Sequence, residues 1–360
     1  MLSHYTRRGF LPESDPIRDF RESPELDALD EIGRDLPSLL LERGFRDRIR
    51  RFELPKLPKG GLSPEALRLY YVRAAFLASA YINQVGVEPV QVLPANIARP
   101  LCDVCARLNR PPILSYDGYA LYNWKRFDAT GPIALGNIDT IQNFVHLYDE
   151  HWFILVHVEI EALASGLFRA IGSATTALDR GDSSALSASI ADLAATLWAQ
   201  VAVLRRIPEK MDPALYYKIF RPYIRFFENV VYEGVDQAPV SFRGETGAQS
   251  SVIPMVVAFL KIPHQPSTLT NHLADMRRFM PAEHRAVLEQ VEALPDPRSL
   301  VEREPYNEAL EALAAFRETH LGFAHEYIAR HVDDPRGTGG TPYLKWLAQL
   351  VAETRAHKIE

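Results

Sequence analysis

From about residue 143 onward, apolar residues recur at helical spacing in long segments: 149–172, 184–206, 213–229, 282–293 and 305–331. Asp182 and Ser183 can cap the second segment, and Asp212-Pro213 opens the third. The first 64 residues are charged and broken by prolines, and Leu54 to Pro64 reads as an irregular connector. Ser63 followed by Pro64 reads as an N-cap and first helical residue, opening an Ala-, Leu- and Tyr-rich helix over 64–85. Prolines at 89, 94, 100, 111 and 112 confine 86–115 to a short helix between extended linkers. Period-two alternation is scarce, so strands should be few. The expected fold is mainly α, with a smaller, mixed N-terminal domain over 1–142 and a large all-helical domain over 143–360.

Composition narrows the function classes. Asp and Glu number 46 and Lys and Arg 40, a net charge of −6, which argues against the basic footprint of a nucleic-acid binder. No run reaches the roughly 18 uninterrupted apolar residues of a membrane helix. The amino terminus shows no secretory pattern. The 2 cysteines fit a reducing compartment rather than a disulfide scaffold, so a cytoplasmic protein is expected.

Five features invite a chemical reading. Gly337-Thr338-Gly339-Gly340-Thr341 has phosphate-loop glycines, but lacks the Gly-Lys-Ser/Thr ending and a preceding apolar strand. It reads better as a hinge before a helix begun by Pro342. Cys102-Asp-Val-Cys105 lacks the second pair that a structural zinc site needs, so two unrelated thiols on a helix are the simpler reading. His320 shares a helix face with Leu313, Phe316, Phe323, Ala324 and Tyr327. It is either a core histidine or an axial ligand to a buried cofactor, heme being the obvious one. His157 lies four residues after Phe153 and stacks on the same face, as a core residue or as the polar group of an apolar pocket. Arg221 follows Tyr216 and Tyr217. It is either a snorkelling surface arginine or a bidentate clamp on a carboxylate whose apolar body the rings hold.

The chain resembles the indoleamine 2,3-dioxygenase family of heme enzymes. Five stretches carry the likeness, in family order: Pro112-Ile-Leu-Ser-Tyr116 with Asn123-Trp-Lys125, Val231-Tyr-Glu-Gly234, Gly247-Ala-Gln-Ser-Ser251, Asp275-Met-Arg-Arg-Phe-Met-Pro-Ala-Glu-His-Arg285, and Arg317 with His320, Tyr327-Ile328 and the 337–341 glycine loop. It runs from about residue 90 to 350.

The resemblance implies that the 143–360 domain binds heme b, ferrous in the active state, and that the N-terminal domain covers the distal pocket. His320 would be the proximal iron ligand, with Arg317, Thr246 and Gly247 also against the cofactor. Arg221 would pair with the carboxylate of an amino-acid substrate. Tyr116, Tyr119, Phe153, Tyr216 and Tyr217 would lie about the indole. Thr338 would supply the hydroxyl of the closing loop. The implied reaction inserts O₂ across the indole C2–C3 bond of L-tryptophan to give N-formylkynurenine, with an unidentified reductant keeping the iron ferrous. Three positions depart from the better-known members. His157 stands where vertebrate members carry serine and resembles the distal histidine of the related tryptophan 2,3-dioxygenases. Tyr119 stands where a cysteine is familiar, and Glu245 where the loop has glycine. The alternatives are a same-fold heme enzyme acting on another indole-derived substrate, and a non-catalytic heme or O₂ binder.

Overall fold

The computed structural model describes residues 2–21, 23–331 and 343–360. Helices dominate it. Two of them, α1 (Asp27–Leu39) and α2 (Phe45–Arg51), lie in the charged stretch that reads as irregular from sequence. The reason was visible: Leu29, Ile32, Leu36 and Leu39 form a narrow apolar stripe among charges, and all four are buried. The expected helix after Ser63 is α3 (Pro64–Ile82), and the Ser63 hydroxyl accepts from the Ala66 N–H. Strand β1 (Val92–Leu93) and α4 (Ala95–Arg107) fill the proline-punctuated stretch. Two short strands, β2 (Trp124–Arg126) and β3 (Ile138–Thr140), pair antiparallel.

The helical half begins with α5 (Tyr148–Arg180), followed by α6 (Ser183–Leu204), whose first turn Asp182 caps through the Ala185 N–H. The expected helix over 213–229 is not continuous. After one turn, α7 (Pro213–Leu215), the chain widens into a π turn over Tyr216–Phe220, tightens into a 3-10 turn over Arg221–Ile224, and then extends as β4 (Phe227–Tyr232). Pro222 lacks the N–H that would continue the ladder, and the Val230-Val231-Tyr232 run suits a strand. Strand β5 (Val240–Phe242) pairs antiparallel with β4, while β1 pairs parallel with β4, matching Val92 to Val231. The remaining helices are α8 (Val252–Phe259), α9 (Thr268–Met276), α10 (Ala282–Glu292), α11 (Arg303–Tyr327) and α12 (Tyr343–Ala356).

Helix α5 organises the molecule, because successive faces of it enter three apolar cores. Ile154, Leu155 and Val158 join the core built on α1, α3, α4 and β4. Leu167, Phe168 and Ile171 join the core of α6, α8, α10 and α11. Trp152, Val156 and Ile160 join a third core that includes Tyr216, Phe220 and Tyr327. Ser183–Glu209 is the one stretch among the described residues long and apolar enough to cross a membrane, and its helix packs between α5 and α11.

Candidate functional site

Helices α5 and α11 carry the two candidate histidines to a common space. Adjoining cavities of about 600 and 180 Å³ share His157, His320, Leu204 and Gly247 in their walls. The larger one lies within the roughly 300–1,000 Å³ of small-molecule sites. His320 sits deep among protein atoms, yet its ring surface stays open, because it faces the cavity rather than packed side chains. Burial lowers its pKa to about 4, and nearby His157 pushes in the same direction. The ring is therefore neutral at pH 7, the form that binds a metal. Among the described residues no group of three or more His, Cys, Asp or Glu could hold a bare ion. A single open imidazole in a large, mostly apolar cavity fits an iron whose other ligands come with a macrocycle.

His157 is fixed differently. Its Nδ1–H donates to the Phe153 carbonyl at 2.7 Å. Burial lowers its pKa, with that hydrogen bond opposing. A neutral ring with Nδ1 protonated leaves Nε2 as an acceptor. The Phe153 ring lies 4.6 Å from it and the Tyr116 ring 5.9 Å, centroid to centroid.

The aromatic wall is set by two π turns, a rare conformation that recurs at functional sites. One spans Asp117–Leu121, with Tyr116 at its start and Tyr119 within it; the other is Tyr216–Phe220. Tyr216 lies 5.5 Å from Phe153 and lines the smaller cavity. Tyr119 is wholly buried behind that lining, 6.2 Å from Phe153, and its hydroxyl donates to Glu150 at 3.2 Å. Tyr217 also lies outside the lining and stacks on His331 at 4.9 Å. Arg221, 7% exposed, sits 5.3 Å from the Tyr217 ring centroid. Burial pushes the Tyr216 phenol up to about 12, and the neighbouring Arg221 opposes that rise.

On the other side of the cavities, the Thr246 hydroxyl accepts from the Ala248 N–H and caps a 3-10 turn over Gly247–Gln249. A Cβ on Gly247 would meet nothing within 4 Å, so the backbone there borders open space. Arg317 lines the larger cavity, but its Nη1 donates to the Leu350 carbonyl at 2.9 Å and to the Thr354 hydroxyl, tying α11 to α12. Thr338 and its glycine loop lie outside the described residues. Cys102 and Cys105 both lie on α4 as thiols, pushed up to about 11 and 12 by burial.

Three buried carboxyls stand near the wall. Glu161 is wholly buried and accepts from the Tyr116 hydroxyl at 2.9 Å and the Ser250 hydroxyl at 2.6 Å. Burial raises it to about 7 against those two bonds. Glu150, also raised to about 7 by burial, accepts from the Phe144 and Val145 N–H groups and from Tyr119. Glu245 is 3% exposed, and burial raises it to about 8. One turn after His157, Glu161 was findable from its spacing on α5. Tyr343, at the start of α12 and in the wall of the smaller cavity, had no local signal.

Comparison with known proteins agrees with this architecture. The family model for indoleamine 2,3-dioxygenase matches residues 3–339. The chain is 31% identical to an indoleamine 2,3-dioxygenase of Saccharomyces cerevisiae, over 89% of this chain and 78% of the relative. It is 25% identical to a 6-hydroxytryptophan 2,3-dioxygenase of Fusarium equiseti, over 91% and 85%. It is 26% identical to a myoglobin of Haliotis madaka, over 96% and 95%.

Proposed function

The chain belongs to the indoleamine 2,3-dioxygenase family, and from that premise we propose that it holds heme b on His320 and uses O₂ to open the indole C2–C3 bond of L-tryptophan, giving N-formylkynurenine. The observation that carries this reading is the pair of neutral imidazoles in one shared cavity wall, of which only His157 has its Nδ1 committed to a carbonyl. Heme, when bound, supplies the activation of O₂, chemistry that no side chain performs. An unidentified reductant keeps the iron ferrous.

The protein's own residues position the substrate. Arg221 anchors the carboxylate; a charge-assisted bond of this kind contributes about 1.5–3 kcal/mol. Tyr116, Phe153 and Tyr216 enclose the indole and exclude water. Nε2 of His157 accepts the indole N–H and orients the ring. Thr246, Gly247 and Arg317 border the cofactor.

Reconstitution with hemin tests the reading. A Soret band should appear, and His320→Ala should abolish or greatly weaken it. Arg221→Ala should raise the Michaelis constant for L-tryptophan roughly ten- to hundredfold. A His320→Ala variant that binds heme as the parent does would overturn the ligand assignment. The likeness to a myoglobin supports a second reading, O₂ held on heme without turnover. An anaerobic tryptophan titration followed by O₂ decides between them, since that reading predicts a Soret band without product absorbance.

A further inference from the structure

Of the three buried carboxyls near the site, two are held by protein donors. Glu150 accepts two backbone N–H groups and a phenol, and Glu161 accepts two hydroxyls. Glu245 is different. Among the described residues no donor bonds its carboxyl, although it is 3% exposed. It lines the same 180 Å³ cavity as Phe153, His157 and Tyr216. Its main chain is firmly placed, since its N–H donates to the Ile224 carbonyl at 3.1 Å. At the preceding Gly244, a Cβ would fall 2.4 Å from the Ile224 oxygen. A carboxyl that lines a cavity with no protein donor on it is available to a donor carried by a ligand.

We propose that Glu245 is a specificity-determining residue that accepts a hydrogen bond from a hydroxyl or amino group carried on the ring of an indole substrate. This rests on the function proposed above. A tryptophan-like substrate anchored by its carboxylate at Arg221 keeps its ammonium two bonds from that anchor, at the Arg221 end. Glu245 belongs to the other end. It stands in the wall of the smaller cavity with Phe153 and His157, a wall that Arg221 does not line. The indole N–H already has an acceptor in His157. What remains opposite Glu245 is the benzo edge of the ring, where unsubstituted tryptophan offers only C–H.

Calorimetric binding to the heme-loaded ferric protein tests this. The ligands are L-tryptophan and its 4-, 5-, 6- and 7-hydroxy and amino forms. At pH 9, where the Glu245 carboxyl has released its proton, at least one ring-donor form should bind the parent about tenfold or more tightly than tryptophan, as a bond to a charged acceptor allows. Glu245→Ala should cut that ratio below about threefold, and Glu245→Gln should cut it part-way. Thermal unfolding should show Glu245→Gln as stable as the parent or more so, because a lone buried carboxyl is removed; a group with a structural role would destabilise on loss. A ratio that survives Glu245→Ala, or a parent with no ring-donor preference, overturns the assignment of Glu245 alone. A loss equal for tryptophan and for the ring-donor forms does the same. A heme-loaded parent that binds no indole amino acid overturns the proposed function, and this inference with it.

Discussion

Glu161 brings three stretches of chain together at one carboxyl: its own helix α5, the Tyr116 phenol and the Ser250 hydroxyl. Tyr116→Phe keeps the ring and removes one donor. It should cost about 1 kcal/mol in urea unfolding, an ordinary net hydrogen bond. The sign of the proton effect follows from the same bond. Donation from Tyr116 lowers the Glu161 pKa against burial. Its loss should raise that pKa above about 7 and increase the protonated carboxyl band at pH 7 in infrared difference spectra. A weaker band would contradict the arrangement. At this scale much of the site was legible. The spacing around His320 and His157 identified the faces that meet in the cavity walls. Adjacent residues on a helix point apart, so Tyr216 and Tyr217 could not both face one cavity, and it is Tyr216 that does. The bond from His157 to the Phe153 carbonyl was not legible, because periodicity gives a face and not a partner for each nitrogen.

At the scale of elements, the π turns were hidden for a physical reason. Their residues are as apolar as those of a regular helix, and one extra residue per turn leaves no mark on hydrophobic spacing. Pro222 was the visible clue that 213–229 must break. The turn at Asp117–Leu121 depends on a close approach: a Cβ on Gly118 would lie 2.7 Å from the Tyr71 ring. Tyr71 is not free to move, since its hydroxyl donates to the Ile113 carbonyl at 2.9 Å and accepts from the Ser115 N–H at 3.1 Å. Gly118→Ala should therefore destabilise by about 1–3 kcal/mol, the usual cost of overpacking. Denaturant midpoints measure this. An unchanged midpoint would mean the turn gives way without cost.

At the scale of the molecule, buried titratable groups set how stability varies with pH. Glu150 and Glu161, raised to about 7, and Glu245, raised to about 8, hold protons in the folded state that the unfolded chain has released above pH 4.5. Stability from them falls as pH rises through that window. His272 and His284, lowered to about 4, act oppositely: the unfolded chain binds their protons up to about pH 6.5, so stability rises with pH to that point. The two effects oppose each other below pH 6.5, and only the carboxyls act above it. The melting temperature of the heme-free protein should fall from pH 6.5 to 8, and Glu245→Gln should flatten the fall. A melting temperature that climbs over that range would contradict the burial of these carboxyls. The mainly helical fold was legible because long amphipathic segments declare themselves. The parallel pairing of β1 with β4 was not, because two residues of strand carry no pattern.

The shared wall of His157 and His320 also has an order in time. A growing chain exposes α5 and the imidazole of His157 long before α11 exists. In that interval the apolar faces that later line the cavities have no counterpart, and no imidazole stands opposite His157. The closing helix, α12, comes last of all and ties to α11 through Arg317. Cavities lined from α5, α11 and α12 are thus complete only once all three helices have been made.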